Sequence, residues 1–196
     1  MKAVRVLPAL ALTVALGPGV AGAVEYDRLL ADRSTLGFTF RQMNVPVDGK
    51  FRKLDGSLRF DPAAPASARI RVDVELASID AGSDEANGEV AGAQWFDTRH
   101  FPVARFVVDP AQGGSIRSLG GERYEFRGRL SIKGRTRDVT IPARFQTQGT
   151  LGVFDGGLVI KRADFGIGEG PWADFDTVAN EIPVHFRLVV GTDARR

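Results

Sequence analysis

The imidazoles available to this chain are His100 and His185, and Cys is absent. Without Cys there is no disulfide, thiolate metal site, c-type haem attachment, iron–sulfur cluster or cysteine nucleophile. His100 follows Asp97 in Trp95-Phe96-Asp97-Thr98-Arg99-His100-Phe101-Pro102. That spacing suits a hydrogen-bonded pair that orders a loop better than a catalytic dyad. His185 sits between Val184 and Phe186 in an alternating run, and its parity puts it on the polar face. Neither His has a second metal ligand at a recognisable spacing. Ser34, Ser57, Ser78 and Ser131 lack a Gly-x-Ser-x-Gly context. Gly166-Ile167-Gly168-Glu169-Gly170 is followed by Pro171-Trp172, not by a helix start, which makes it a turn and not a nucleotide loop. Asp174 and Asp176 have no EF-hand pattern around them and read as a solvated loop. Arg127, Arg129, Lys133, Arg135 and Arg137 alternate with Glu122, Glu125 and Asp138 nearby, a salt-bridged outer face. These residues do not assemble an enzyme: no catalytic residue, metal ligand or resident cofactor is expected.

The charges say where the protein works. The chain holds 26 Lys+Arg against 24 Asp+Glu, a formal net charge of +2. Residues 1–23 read as a secretory signal peptide: Lys2 and Arg5, an apolar stretch from Val6 to Leu16, Gly17-Pro18-Gly19, and an Ala21-Gly22-Ala23 cleavage site before Val24. The stretch is shorter than the roughly 20 residues of a membrane-spanning helix, and no Cys follows it for lipid attachment. Cleavage removes Lys2 and Arg5 and no acid, so 26 − 2 leaves 24 against 24. The electrostatic case for nucleic acid or an anionic membrane goes with the signal. Residues 24–196 are then expected to be one soluble periplasmic domain, long enough to bury about 70% of its unfolded surface without disulfides.

Period-two alternation dominates that domain. Arg69-Ile70-Arg71-Val72-Asp73-Val74-Glu75-Leu76 places charges on one face and aliphatics on the other, the pattern of a half-buried strand. Leu36/Phe38/Phe40, Tyr124/Phe126/Gly128/Leu130/Ile132, Val139/Ile141/Ala143/Phe145 and Ile182/Val184/Phe186/Leu188/Val190 repeat it. Weaker strands are expected over 50–54, 56–60, 104–109 and 151–161. Turns are expected at Asp48-Gly49, Asp55-Gly56, Asp61-Pro62, Asp109-Pro110, Gly113-Gly114, Gly120-Gly121, Lys133-Gly134 and Asp155-Gly156. One weak helix, 83–94, has Ser83 as cap and Asp84 and Glu85 in its first turn. About eight strands joined by short turns predict an all-β antiparallel barrel or sandwich with one short helix. A transmembrane barrel alternates too. Charged strand ends, Phe in place of Tyr/Trp girdles and the polar Asp193-Ala194-Arg195-Arg196 ending favour the soluble form.

The apolar inventory points to function. There are 13 Phe but two Trp and two Tyr, large hydrophobic surfaces with few polar handles. An eight-stranded barrel is just wide enough to fill with side chains or to hold one small apolar ligand. The residues expected to line it are Phe38, Phe40, Phe60, Val72, Val74, Phe106, Phe126, Leu130, Phe145 and Phe186 from strands. Trp95, Phe96, Phe165 and Trp172 join them from the clusters beside the helix and in the last long loop.

Four stretches resemble the YceI-like, polyisoprenoid-binding family. Ser34-Thr35-Leu36-Gly37-Phe38 leading to Val47-Asp48-Gly49-Lys50-Phe51 resembles its opening strand pair with a G-K-F element. Trp95-Phe96-Asp97 to Phe101-Pro102 and Ala104-Arg105-Phe106 resembles F-F-D…P-x-A-x-F. Gly128 to Thr140 resembles G-x-L-T-x-x-G-x-T-x-x-V-x, and Arg162-Ala163-Asp164-Phe165-Gly166-Ile167-Gly168 resembles R-x-D-F-G-I-G. The chain departs from the family in its Gly-containing Ala86 to Gly92 stretch and at Lys133, where His is common. The resemblance implies a lipocalin-like eight-stranded antiparallel barrel with a helix beside it, exported to the periplasm. Its interior would hold a polyprenyl lipid or an isoprenoid quinone, as carrier or sequestering protein. Gly170-Pro171-Trp172-Ala173-Asp174 resembles the branch associated with cytochrome b561-like membrane proteins. The alternative expectation is therefore a ligand-free module, its barrel filled, docking on such a partner through the Trp172 loop. A homodimer is a further partner expectation. Within the motifs, Arg162 and Asp164 are expected to tie the last loop down, and Gly134 and Gly166 to take positive φ.

Overall fold

The computed structural model describes residues 24–192; the signal-peptide segment and the Asp193–Arg196 ending lie outside them. Twelve strands are formed among the described residues: β1 (Tyr26–Leu29), β2 (Thr35–Gln42), β3 (Val45–Phe51), β4 (Leu54–Phe60), β5 (Arg69–Glu75), β6 (Ile79–Asp80), β7 (Val103–Val108), β8 (Ser115–Ser118), β9 (Arg123–Ile132), β10 (Arg135–Gln148), β11 (Leu151–Lys161) and β12 (Glu181–Gly191). All pairings are antiparallel. Eight strands close a ring, in the order β1-β4-β5-β7-β9-β10-β11-β12 and back to β1. Of the four strands beyond the ring, β3 and β6 extend β2, while β2 and β8 arise at two edges that are each covered by a broken strand. On β12, β1 pairs at Val190 and Gly191 while β2 pairs at Val184–Arg187; on β9, β8 and β7 divide the edge likewise.

Closure is therefore complete at one end only. There β1 bridges β12 and β4. At the other end β2 carries β3 and β6 outward, and among the described residues no ladder joins β3 to β4 or β5. The helix α1 (Asp84–Ala91) sits at this open end. Ser83 caps it as expected, its side chain accepting from the Ala86 N–H at 3.1 Å. The helix stops at Gly92, short of the expected 94, and buries none of its residues completely.

Three expected turns are strand interior instead. Gly49 pairs with Phe38, Gly56 with Val72 and Gly156 with Phe186. These glycines are needed for close approach: a Cβ on Gly49 would lie 2.3 Å from the Phe38 ring, so the glycine makes room for an aromatic ring across the ladder. The real β2–β3 turn is Met43-Asn44, with φ of 47° and 64°, a two-residue hairpin whose left-handed residues match the strand twist. The expected strand over 50–54 straddles the β3–β4 corner, where the Arg52 and Lys53 amides bond to Ser78. Lys133-Gly134 and Gly120-Gly121 do turn, with positive φ.

Throughout the ring apolar side chains point inward and charged ones outward, the reverse of a lipid-facing barrel. Arg69 and Arg71 are exposed while Val74 is buried.

Candidate functional site

The interior is divided. At the closed end Phe60, Phe145 and Phe154 form a triangle with ring centroids 4.6 to 5.0 Å apart. Tyr26 and Tyr124 pack edge-on against it at 5.2 and 5.6 Å. Phe60 has no exposed surface at all. Toward the open end the same inward parity continues, but Leu36, Phe40, Phe51, Leu54, Val72, Leu130 and Phe186 are only partly buried, because they border a cavity of about 620 Å³. That volume lies within the roughly 300–1,000 Å³ usual for ligand pockets.

Of the expected lining residues, Phe38, Phe40, Val72, Val74, Phe106, Phe126, Leu130 and Phe186 border this cavity from the strands, and Trp95, Phe96 and Trp172 border it from the loops. Phe60, Phe145 and Phe165 do not. The first two are spent in the aromatic triangle. Phe165, 2% exposed, is wedged beneath the last loop with Ile132 and Ile167. The walls also include residues not foreseen. Leu36 and Val184 share the parity of Phe38 and Phe186 and were detectable; Ala86 and Val90 of α1 were not, since the helix carries no clear apolar stripe. The filled barrel expected of a ligand-free docking module is not what the chain forms.

The open end is held by polar hubs. Arg162 is 2% exposed and lies on the cavity wall. Its Nη1 donates to the carbonyls of Ile167 (2.9 Å) and Gly168 (2.8 Å) and its Nη2 to Trp172 and Val178 (both 2.7 Å). Nη2 also reaches Asp174, and Nε is shared between Val178 and Ala179. Six carbonyls around one guanidinium fold the 162–180 loop over the barrel. Burial pushes the Arg162 pKa below its ordinary value. The expected tie is thus made by Arg162, while Asp164 is exposed. Gly166 takes φ 65° as expected. Lys133 links this loop to the segment after α1, donating to Ala93 O (2.8 Å) and Gly166 O (2.6 Å) and pairing with Glu169. Finally, Trp172 Nε1 donates to Glu89 Oε1 of α1 at 2.7 Å, across the mouth.

The remaining chemistry-bearing residues lie elsewhere. Asp97 and His100 pair at 2.9 Å with the imidazole 70% exposed, and neither borders the cavity. His185 is exposed and lies over Gly37 on the outer face. Asp174 accepts from the Asp176 and Thr177 side of its own loop. Arg135 pairs with Glu169 of the last loop and Arg117 with Glu125; among the described residues no ion pair joins Arg127, Arg129, Lys133, Arg135 or Arg137 to Glu122, Glu125 or Asp138, so the salt-bridged face expected of that set is not formed.

A closed antiparallel ring with an apolar chamber at one end, lidded by a short helix and a loop, defines a barrel with an internal pocket. The YceI-like domain family model matches residues 28–190, and the chain belongs to that family. It is 31% identical over 173 residues to a UPF0312 protein of Azotobacter vinelandii, covering 83% of this chain and 87% of that protein. Among solved structures, Burkholderia cenocepacia BcnA superposes with a TM-score of 0.77 at 37% identity, over 82% of this chain and 98% of its own. A polyisoprenoid binding domain from Saccharophagus degradans, implicated in plant cell wall breakdown, superposes with a TM-score of 0.65 at 20% identity, over 87% and 99%; at that identity the likeness is one of fold.

Proposed function

We propose that this protein binds a long isoprenoid lipid, a polyprenyl chain or quinone, inside the barrel, and that it carries or sequesters that lipid outside the cytoplasm. The observation behind this reading is the chamber of about 620 Å³ walled by inward aromatic and aliphatic side chains that remain half-buried. Each methylene transferred from water into such walls contributes about 0.8 kcal/mol, so a branched hydrocarbon chain is the ligand that gains most. The polyisoprenoid binding domain of the same fold supports the same ligand class. The signal-like character of the first 23 residues supports export, with the work done in the periplasm. The role is binding, without turnover.

Organic extraction of the purified protein followed by mass spectrometry tests the reading. An isoprenoid in the extract, or stoichiometric uptake of added polyprenol or quinone, is expected. A protein that comes out empty and takes up neither ends it. Export is checked separately, by N-terminal sequencing of the periplasmic protein, which should begin at Val24.

A further inference from the structure

The chamber ends at one level of the ring. On β4 Leu58 borders it and the next inward residue, Phe60, does not; Phe126 and Tyr124 divide in the same way on β9, and Ala143 and Phe145 on β10. Below that level the barrel is full. Phe60 and Phe145 are buried with their ring centroids 4.9 Å apart. A Cβ on Gly152 would lie 2.5 Å from the Phe145 ring, so the packing has no slack to give to a ligand. Phe154 belongs to both regions. It pairs with Phe145 in the β10–β11 ladder, and its ring lies 4.6 Å from that of Phe145 and 5.0 Å from that of Phe60. Yet of these three rings Phe154 is the one that borders the chamber.

We infer that Phe154 is a specificity-determining residue: its ring is the stop against which the hydrocarbon end of the bound lipid rests, and it sets how many isoprene units the chamber takes in. This rests on the isoprenoid-binding reading and adds a length limit to it. Each unit that lies between mouth and floor exchanges water for apolar walls and tightens binding. A chain that already touches the floor must leave any further unit outside the mouth, in water, where it adds nothing. The side chains of Phe126, Ala143 and Phe154 around the stop carry no polar atom, so the polar end of the ligand stays toward the open end, where Gln42, Ser83 and Glu89 border the chamber. A phenyl ring is similar in size to an isoprene unit, so removing the Phe154 ring leaves space for a further unit of chain.

The test offers the protein an equimolar series of all-trans prenyl alcohols, from geraniol through farnesol and geranylgeraniol to solanesol, and quantifies the bound members by extraction and mass spectrometry. In the wild type, relative affinity should rise roughly tenfold with each added unit and then level off at one chain length. Phe154→Ala opens the floor and should move that length up by a single unit. Ala143→Leu adds side-chain volume at the same level and should move it down. Phe154→Leu opens the floor less and keeps it apolar, so it carries the upward arm if Phe154→Ala does not fold, and Ala143→Leu, which removes no core side chain, carries the downward one. A levelling length that stays at the wild-type value in a folded variant, or a wild-type affinity that goes on rising through the whole series, overturns the inference and leaves isoprenoid binding intact. A wild type that takes up no member of the series overturns the isoprenoid reading and this inference with it.

Discussion

The closed and open ends of the barrel use one inward-facing parity for opposite purposes. At the closed end β1 completes the ring, and five aromatic side chains meet at 4.6 to 5.6 Å in mostly edge-to-face contacts. Such rings reach the density of a protein interior and leave no room for a guest. At the open end, apolar residues of the same strands face a gap, and order comes from polar groups: the Arg162 hub, the Lys133 link and the Trp172–Glu89 bond. The first end is stabilised by hydrophobic burial. The second is stabilised by hydrogen bonds to backbone, which keep a loop in place without filling the space beneath it.

That division is open to attack at its strongest point. Arg162→Met should destabilise the protein by about 4 kcal/mol or more in urea unfolding, because it removes the donor from six carbonyls at once, three of them in buried bonds. Amide exchange should accelerate first over 162–180 and leave the closed-end parts of β9 to β11 protected. Uniform acceleration would mean that the two ends unfold as one unit.

Aromatic truncation comes next in size. Phe60→Ala removes a fully buried ring and should cost about 3–5 kcal/mol. Phe40→Ala at the open end should cost about 1–2 kcal/mol, since a ring already bordering empty space gives up fewer contacts, but it should weaken lipid binding. Equal costs in thermal or urea denaturation would erase the distinction. Enlargement reverses the test. Ala68→Leu, in the closed-end core at 2% exposure, should cost about 1–3 kcal/mol by overpacking. Leu130→Trp, on the cavity wall, should change stability by less than about 1 kcal/mol while blocking ligand uptake.

What was legible in sequence was the face each strand residue occupies, and for a physical reason. Period-two alternation reports which face a residue occupies, so Phe38, Phe126 and Phe186 were assigned inward from their neighbours alone. Parity carries no information on depth along the barrel. Phe60 and Phe145 therefore looked the same as Phe106, although they fall at the filled level and Phe106 at the hollow one. Glycine misled at Gly49, Gly56 and Gly156, where it relieves contact inside a strand and does not turn the chain. Lid residues were least visible. Ala86 and Val90 lie on a helix whose packing is set by the barrel mouth.

The smallest effect concerns acid. Asp80 leads from β6 toward α1 at the open end, where the Arg52 guanidinium at 2.8 Å and the Gly82 N–H hold its carboxyl below the usual range. Asp109 at the closed end is held low chiefly by the Ala111 N–H, with help from Gln112 and Arg69. A carboxylate whose folded pKa is depressed contributes stability that is complete above its unfolded value, about 4. That contribution is lost as pH falls through the lower folded value. Both groups are partly exposed, so the loss from each is slight, but the sites are separable. In a carboxyl NMR titration both should titrate below the ordinary aspartate range. Arg52→Gln should bring Asp80 back toward that range and leave Asp109 where it was. An Asp80 that titrates unchanged in Arg52→Gln would show that the segment leading to the lid is ordered by something other than this ion pair. The Ala81 N–H to Asn87 Oδ1 bond at 2.7 Å would then be the tie that joins β6 to the helix over the mouth.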